Sequence, residues 1–479
     1  LIEGLDDTEP ERSHAPPGSL IFIAKPALAF LPSPEFARAA KGLKKARALE
    51  NQQFHFSWRS LNQYELQVLF DFLFPESLAE DSGDVSARTQ LALIFLAGLT
   101  PERLAKMILL RPGQQPPEGD AYCEATTILR VFSPGPPLKS ASPPETLAQA
   151  CPTQNHIDLL LPDYLVNLLN EYLAHSQHGE EMALFPVSAS ELLASCRQAL
   201  GKLGHKRLSF KRVQNYMTRK LALLPGSDHA VASLAQGRSN IFLAQTPVHY
   251  ASFEADTLQR LYRLAWVHTA REAGRESQLN ENFPAESSRH VGTPLRPNLA
   301  TVQNLVAAVK TFLTANARIN SLAELVEYHN AYVLYTFLVT AYCTGYRAVT
   351  SPFVSKNMYD PTTGFCVIHD KSSADFYHSR LVWLPELCIK QLESYYLHLE
   401  TIKKCSALPI IETSRKDGIY FFLTPEGRRE TVRPANLKTH LAKFGFHLPV
   451  NVSRHFLKSE LQENGCPSEI VEILLGHWR

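Results

Sequence analysis

No two cysteines in this sequence of 479 residues form a CxxC pair; the eight fall singly at 123, 151, 196, 343, 366, 388, 405 and 466. That scatter argues against a paired-thiolate zinc site and against a small disulfide-stapled scaffold, and it favours a reducing, cytoplasmic setting. Long apolar runs are also missing. The most apolar stretches, Leu91 to Leu99 and Ala331 to Tyr342, fall short of the ~18 residues that a membrane span requires, so we expect no membrane partner. Neither sign of charge is in excess, because 48 basic residues against 47 acidic ones leave a net charge of +1. No signal-peptide pattern opens the sequence. It begins at Leu1 rather than at a methionine and stops at Arg479, and we expect native residues beyond both ends.

With 45% hydrophobic and 20% charged residues, the chain has ordinary material for globular cores, and its length suggests about three domains. The neutral average hides two patches. Arg38 to Leu49 holds five basic residues, among them Lys41, Lys44 and Lys45, and no acid. Gly201 to Lys220 holds seven, Lys202, Lys206, Arg207, Lys211, Arg212, Arg219 and Lys220, again with no acid. A solvated helix face accounts for either run taken singly. Two such runs in a neutral chain point to a polyanion, since phosphate neutralisation drives nucleic-acid affinity.

Residues 1–50 read as an irregular arm carrying the first basic segment. Proline-marked loops follow at 111–118 and 133–145. Between them the apolar spacing is helical and predicts helices over 61–74, 87–110, 161–175, 191–203 and 209–224. A polar stretch at 271–298 reads as a linker. Beyond it we expect helices at 299–317 and 321–344, a hairpin at 364–385, and helices at 385–401, 434–444, 451–464 and 467–475.

An internal repeat organises these elements. Leu161-Pro162-Asp163 leads to Tyr172 and His175, and Leu384-Pro385-Glu386 leads to Tyr395 and His398 at the same offset. Leu200, Lys202, Leu203 and Gly204 recur as Leu441, Lys443, Phe444 and Gly445, and the helix from Ser209 aligns with the one from Pro449. The expectation is two similar, mainly α domains with a small antiparallel β element, at 51–270 and 299–479.

In the second half a helix ends in Thr344-Gly345-Tyr346-Arg347, Lys371 lies near the hairpin turn, Arg454-His455-Phe456 follows, and an apolar helix runs into Leu475-Gly476-His477. This ordered set resembles the catalytic domain of the tyrosine site-specific recombinases, the phage-integrase family, over residues 299–479. The resemblance implies that Arg347 and Arg454 clamp a scissile phosphate, that Lys371 protonates the leaving 5′-oxygen, and that His477 bonds a non-bridging oxygen or assists proton transfer. It implies a phosphotyrosyl intermediate, no metal and no cofactor, double-stranded DNA as partner, and a homo-oligomer on DNA. Each residue also has a plainer role available: an arginine past a helix end stabilises the helix dipole, and Gly476 can be a capping glycine.

Two positions depart from the family pattern. Asn451 stands where histidine or lysine is usual, and Thr350 where an acid is usual. The nucleophilic tyrosine is expected beyond Arg479. The first half resembles the same domain with its catalytic groups eroded: Gly98-Leu99-Thr100 replaces the arginine turn, Gln214 faces Arg454, and Gly237-Arg238 faces Gly476-His477. There Tyr250 alone has a nucleophile-like location, and the basic run suggests a DNA grip. The readings left open are a recombinase of a mobile element, an inert DNA-binding relative, a type IB topoisomerase, and a helical scaffold unrelated to DNA.

Overall fold

The computed structural model describes residues 60–75, 85–111, 114, 118–135, 144–176, 183–237, 245–275, 289–347, 358–369, 379–404 and 418–476. All lie in the second of two compact units, Leu1–Phe54 and His55–Arg479.

The first half opens with α1 (Gln63–Leu73), closed at its start by a reciprocal cap in which Asn62 accepts from the Glu65 amide and Glu65 accepts from the Asn62 amide. Next come α2 (Val85–Ala97) and the short α3 (Pro101–Leu104). A four-stranded sheet follows, with β1 (Ile108–Leu110), β2 (Ala121–Cys123), β3 (Ile128–Phe132) and, after the short helix α4 (Pro144–Ala148), β4 (His156–Leu160). The β1–β2 pair is parallel and the others are antiparallel, with Arg130 opposite Asp158 and ion-paired to it at 2.7 Å. Helices α5 (Asp163–His175), α6 (Ala189–Lys202), α7 (Phe210–Gln214), α8 (Tyr216–Ala222), α9 (His229–Ala235) and α10 (Gln245–Tyr250) complete the layer. β5 (Ser252–Glu254) then leads into α11 (Ala255–Glu272). Trp266 and Tyr262 of α11 are buried, and they donate to the carbonyls of Leu96 and Ala97 at the end of α2.

β6 (His290–Gly292) pairs with β5 and joins the halves. The second half comprises α12 (Leu299–Ala315), α13 (Leu322–Thr344), the hairpin β7 (Phe365–Ile368) and β8 (Arg380–Trp383), α14 (Glu386–Lys403), the hairpin β9 (Phe421–Leu423) and β10 (Arg429–Thr431), α15 (Pro434–Ala442), α16 (Val452–Glu463) and α17 (Ser468–Leu475). Each half has its own hydrophobic core, one built from Leu61 to Val291 and the other chiefly from Leu305 to Val452. The molecule is mainly helical with small sheets, and no helix among the described residues is long and apolar enough to cross a membrane.

Three expectations need correction. The apolar run 87–110 is not one helix, because Gly98 takes φ +68°, α3 ends at Leu104, and Ile108–Leu110 pairs as a strand. The run 209–224 breaks at Asn215, which caps α7 and starts α8. The stretch 271–298 is no simple linker: α11 extends to Glu272, β6 adds to β5, and Arg296 is buried.

Several features occur in both halves in the same chain order. A strand, a leucine and a capping proline precede α5 and likewise α14. Buried Tyr172 on α5 donates to the Leu184 carbonyl at 3.0 Å, and buried Tyr395 on α14 donates to the Ile419 carbonyl at 2.9 Å. A left-handed glycine follows the long helix in each half, Gly98 after α2 and Gly345 after α13 (φ +59°).

Candidate active site

Helix α13 is capped at its start by Ser321, whose hydroxyl accepts from the Glu324 amide, and it ends where Gly345 turns the chain left-handed. Only glycine fits that turn, since a Cβ there would lie 2.5 Å from Cδ2 of Leu475. Helix α17 likewise ends in left-handed Gly476. Between these two turns stands Arg454 of α16. Its Nη1 donates to the Gly345 carbonyl at 2.5 Å and its Nη2 to the Leu475 carbonyl at 2.6 Å. One guanidinium thus ties the three motif segments together. Arg347, two residues past Gly345, is partly buried.

Arg454 is only 1% exposed, and its guanidinium carbon lies 4.9 Å from the centre of the Tyr250 ring, at the end of α10. Tyr250 also meets the ring of His455 edge-on at 4.7 Å, and His249 approaches the same ring at 5.5 Å. Burial above all, with the charges of His249 and Arg454, pushes the His455 imidazole down to about 3, so it is neutral near neutral pH. Asn451 sits at the start of α16, and its carbonyl accepts from the Arg454 amide at 3.2 Å.

The rest of α16 is held by the first half and by the segment that follows β6. Arg296 donates to Glu460 at 2.8 Å and to both oxygens of Glu463, at 2.7 and 2.6 Å. Asp228, the capping residue of α9, accepts from Gln462 at 2.9 Å. Lys458, fully buried, bonds Glu472 and lies 3.9 Å from Asp228. On the other side Arg380 of β8, also buried, donates to the Leu474 carbonyl at 2.8 Å.

Of the expected site residues, the structure therefore brings the Arg347 turn, Asn451, Arg454 and the Leu475-Gly476 turn into one neighbourhood. Lys371, His477, Thr350, Lys41, Lys44 and Lys45 lie outside the described residues. Tyr250 and His249 enter this neighbourhood from the other half of the chain and Arg296 from the segment joining the halves; nothing in their local sequence marks that placement.

The basic run divides. Arg212 is turned inward, bonding Glu65 at 2.9 and 3.1 Å, with Arg207 on the same carboxylate at 3.0 Å. Burial raises the Glu65 carboxyl, but the Arg212 and Asn62 hydrogen bonds and the two guanidinium charges outweigh it and hold it below the usual range. Arg219 is buried, 3.4 Å from the Ser60 hydroxyl, and Lys220 pairs with Glu272 at 2.6 Å. Each of these four side chains thus has a partner within the fold. Lys202, Lys206 and Lys211 remain exposed. A cavity of about 370 Å³ beside them is lined by Arg197, His205, Lys206 and Ser209.

In the first half Arg103 of α3 binds another left-handed glycine turn, at Gly237. It forms a two-pronged pair with Asp120, at 2.7 Å through Nε, and donates to the carbonyls of Phe132, Gln236 and Gly237. Gln236 in turn lies against Gly98, where a Cβ would fall 1.8 Å from its amide nitrogen.

No family model and no curated protein matches the chain. Among solved structures it is similar to the XerA recombinase, at 16% identity over 46% of this chain and 68% of that one, with a TM-score of 0.26. It is also similar to the XerH site-specific recombinase bound to its difH substrate in a pre-cleavage complex, at 14% identity over 72% of this chain and 94% of that one, TM-score 0.27. The Tn1549 transposon integrase in complex with a circular-intermediate DNA gives 11% identity over 47% and 72%, TM-score 0.27. All three are recombinases or integrases. At such identities and scores the likeness assigns no activity to this chain.

Proposed function

We propose that the chain is a DNA strand-exchange enzyme of the tyrosine recombinase type, belonging to a mobile element and acting as a homo-oligomer on double-stranded DNA. The observation that supports this reading best is the seating of Arg454 between the Gly345 and Leu475 carbonyls, which draws the TGxR turn, the RH helix and the LG turn to one point. Attack of a tyrosine hydroxyl on a phosphodiester adds charge to the non-bridging oxygens, and the guanidinium groups of Arg347 and Arg454 are suited to receive it. The tyrosine hydroxyl gives up its proton as the new ester forms, the bond to the 5′-oxygen breaks, Lys371 supplies the proton that oxygen takes up, and His477 either bonds a non-bridging oxygen or takes part in the proton transfer from the tyrosine. The new phosphotyrosyl ester keeps the strand activated for rejoining. The first half is a degenerate version of the same domain, and it grips DNA through Lys202, Lys206 and Lys211 together with the arm lysines.

A covalent-trapping assay tests the proposal, using the full native chain and a nicked suicide duplex carrying its cognate site. A denaturation-resistant protein–DNA adduct that Arg454→Ala abolishes is the expected result, and peptide mapping of the adduct identifies the attacking tyrosine. The second reading, a DNA-binding relative that no longer cuts, draws on Asn451, which cannot carry a proton at a position where the family uses a proton-bearing side chain. Tight, salt-dependent binding to the cognate site without any adduct would establish it. Relaxation of supercoiled DNA irrespective of sequence would instead indicate a type IB topoisomerase.

A further inference from the structure

The cavity of about 370 Å³ beside the basic run of the first half has a lining of two kinds. Leu200 and Leu208 are buried and Phe210 is half-buried, whereas Arg197 and Lys206 are exposed cations. No carboxylate lines it, and among the described residues Arg197, Lys202, Lys206 and Lys211 enter no ion pair. Gly201 and Gly204 also line it, and a Cβ at either would meet no atom within 4 Å, so there is room beside both. An aromatic pair adjoins the cavity through His205: Tyr64 of α1 is 60% exposed and meets the His205 ring edge-on at 5.5 Å. The placement of Tyr64 is built into the fold, because its neighbour Glu65 is bonded by Arg207 and Arg212, which belong to the same segment as His205 and Lys206. Those pairs also match the Glu65 charge and leave the four outer cations uncompensated by it. Cations, an apolar wall and an exposed ring suit a ligand that carries a phosphate and a flat ring together. A base paired within a duplex is stacked on its neighbours and offers no face to a side chain, so the matching ligand is a nucleotide whose base is unpaired.

We propose that this cavity binds an unpaired nucleotide of single-stranded DNA, its phosphate at Arg197 and Lys206 and its base against Tyr64 and His205. A strand fits better than a free nucleotide, because Lys202 and Lys211, exposed before and after this segment in the chain, offer cations to the neighbouring phosphates. The inference goes beyond the strand-exchange reading. It shares Lys202, Lys206 and Lys211 with that reading, and it needs neither strand cleavage nor a cognate site.

Fluorescence anisotropy on the full chain tests the proposal with three labelled probes of equal length: oligothymidylate, its abasic counterpart and a blunt duplex. Oligothymidylate should bind about tenfold or more tighter than the abasic strand, which carries the same phosphates without bases. Tyr64→Ala should remove most of that preference and leave the affinities for the abasic strand and the duplex unchanged, while Tyr64→Phe keeps the ring and the preference. Arg197→Gln and Lys206→Gln should weaken both single strands alike, each reducing the slope of log affinity against log salt by about 0.7. Gly201→Leu adds a side chain at a helical position that lines the cavity, and it should weaken oligothymidylate binding in a chain that still folds, since leucine favours a helix. Equal affinity for the two single strands overturns the proposal, as does an oligothymidylate affinity that Tyr64→Ala leaves unchanged. If Tyr64→Ala weakens all three probes alike, the tyrosine serves the general grip or the fold, and the base site is refuted. Thymidine 5′-monophosphate competing on equal terms with oligothymidylate would overturn a strand as the ligand. Tight binding of the single strand, with neither duplex binding nor adduct formation on the cognate site, would sink the strand-exchange reading and leave the nucleotide site standing.

Discussion

In the first half Arg103 of α3 is matched with the Asp120 carboxylate and donates to the carbonyls of Phe132, Gln236 and Gly237, the last a left-handed glycine. In the second half the turn after α13 is knit together by Arg454, reached from a later helix and held by two carbonyls and the face of a tyrosine. Both arginines bind a glycine turn to a distant segment, so both are structural. They differ in what holds them. Arg103 meets a carboxylate and three carbonyls, whereas Arg454 meets the carbonyls that close two helix-ending turns and the face of a ring from the other half.

The largest expected effect breaks the comparison if it fails. Arg454→Ala should lower strand cleavage by at least ~10²-fold, the scale of losing one donor to a developing oxyanion. Arg103→Ala should instead act on stability, costing roughly 3 kcal/mol by stranding Asp120, with cleavage per folded molecule unchanged. Denaturant unfolding and single-turnover trapping on both variants give the two numbers, and a swap of the two phenotypes would reverse the assignment.

Smaller, and alike in both halves, should be the cost of a Cβ in the turns. Gly98→Ala and Gly345→Ala each force a left-handed backbone and a clash, with Gln236 and Leu475 respectively. We expect a loss of about 1–3 kcal/mol apiece, read as a shift in denaturation midpoint. Only Gly345→Ala should also slow cleavage.

Acid should distinguish the halves further. His329 donates from Nε2 to the Phe421 carbonyl and lies 3.1 Å from His398, and burial first of all holds these two imidazoles down to about 3 and about 4. Both are neutral in the folded chain, whereas the unfolded chain binds protons near pH 6.5. Their contribution to stability is complete above that pH and is lost as the pH falls from ~6.5 towards 4, at up to about 1.4 kcal/mol per pH unit for each group. Hydrogen exchange at pH 7 and pH 5 should show α13 and α14 losing protection, and His329→Gln should flatten the response. Unchanged protection of α13 would remove the histidine pair from the acid response.

The smallest effect concerns the surface. Lys202→Glu, Lys206→Glu and Lys211→Glu should each weaken DNA binding modestly and reduce the slope of log affinity against log salt by about one. Arg212→Gln should act through folding, by releasing Glu65, and leave that slope as it is for the molecules that remain folded.

Much of this architecture was legible from periodicity and punctuation. The helices α1, α5, α12 and α13 and the β7–β8 hairpin follow from apolar spacing and from the Pro, Gly and Ser residues at their ends. The strand Ile108–Leu110 was not, because the apolar run leading to it suits a helix equally well and only its pairing with Ala121–Cys123 decides. The inward turn of Arg212 depends on Glu65, far earlier in the chain, and local charge counting cannot see it. The motif residues around Arg454 were recognisable from their order, and yet the seating of its guanidinium and the arrival of Tyr250 are properties of tertiary packing between residues some two hundred positions apart.

The position of Arg296 has a consequence for how such a chain can change over generations. Glu460 and Glu463 share that one cation, and Gln462 between them is met by Asp228, so one flank of α16 is written in the vocabulary of the first half and of the segment that joins the two. A lineage that exchanged its first half together with the joining segment for foreign ones would inherit two stranded acids and a misplaced amide on the helix that bears Arg454. Replacement at 228 or 296 is tolerable only when 460, 462 or 463 changes with it, so the two halves must diverge as a pair and are not interchangeable modules.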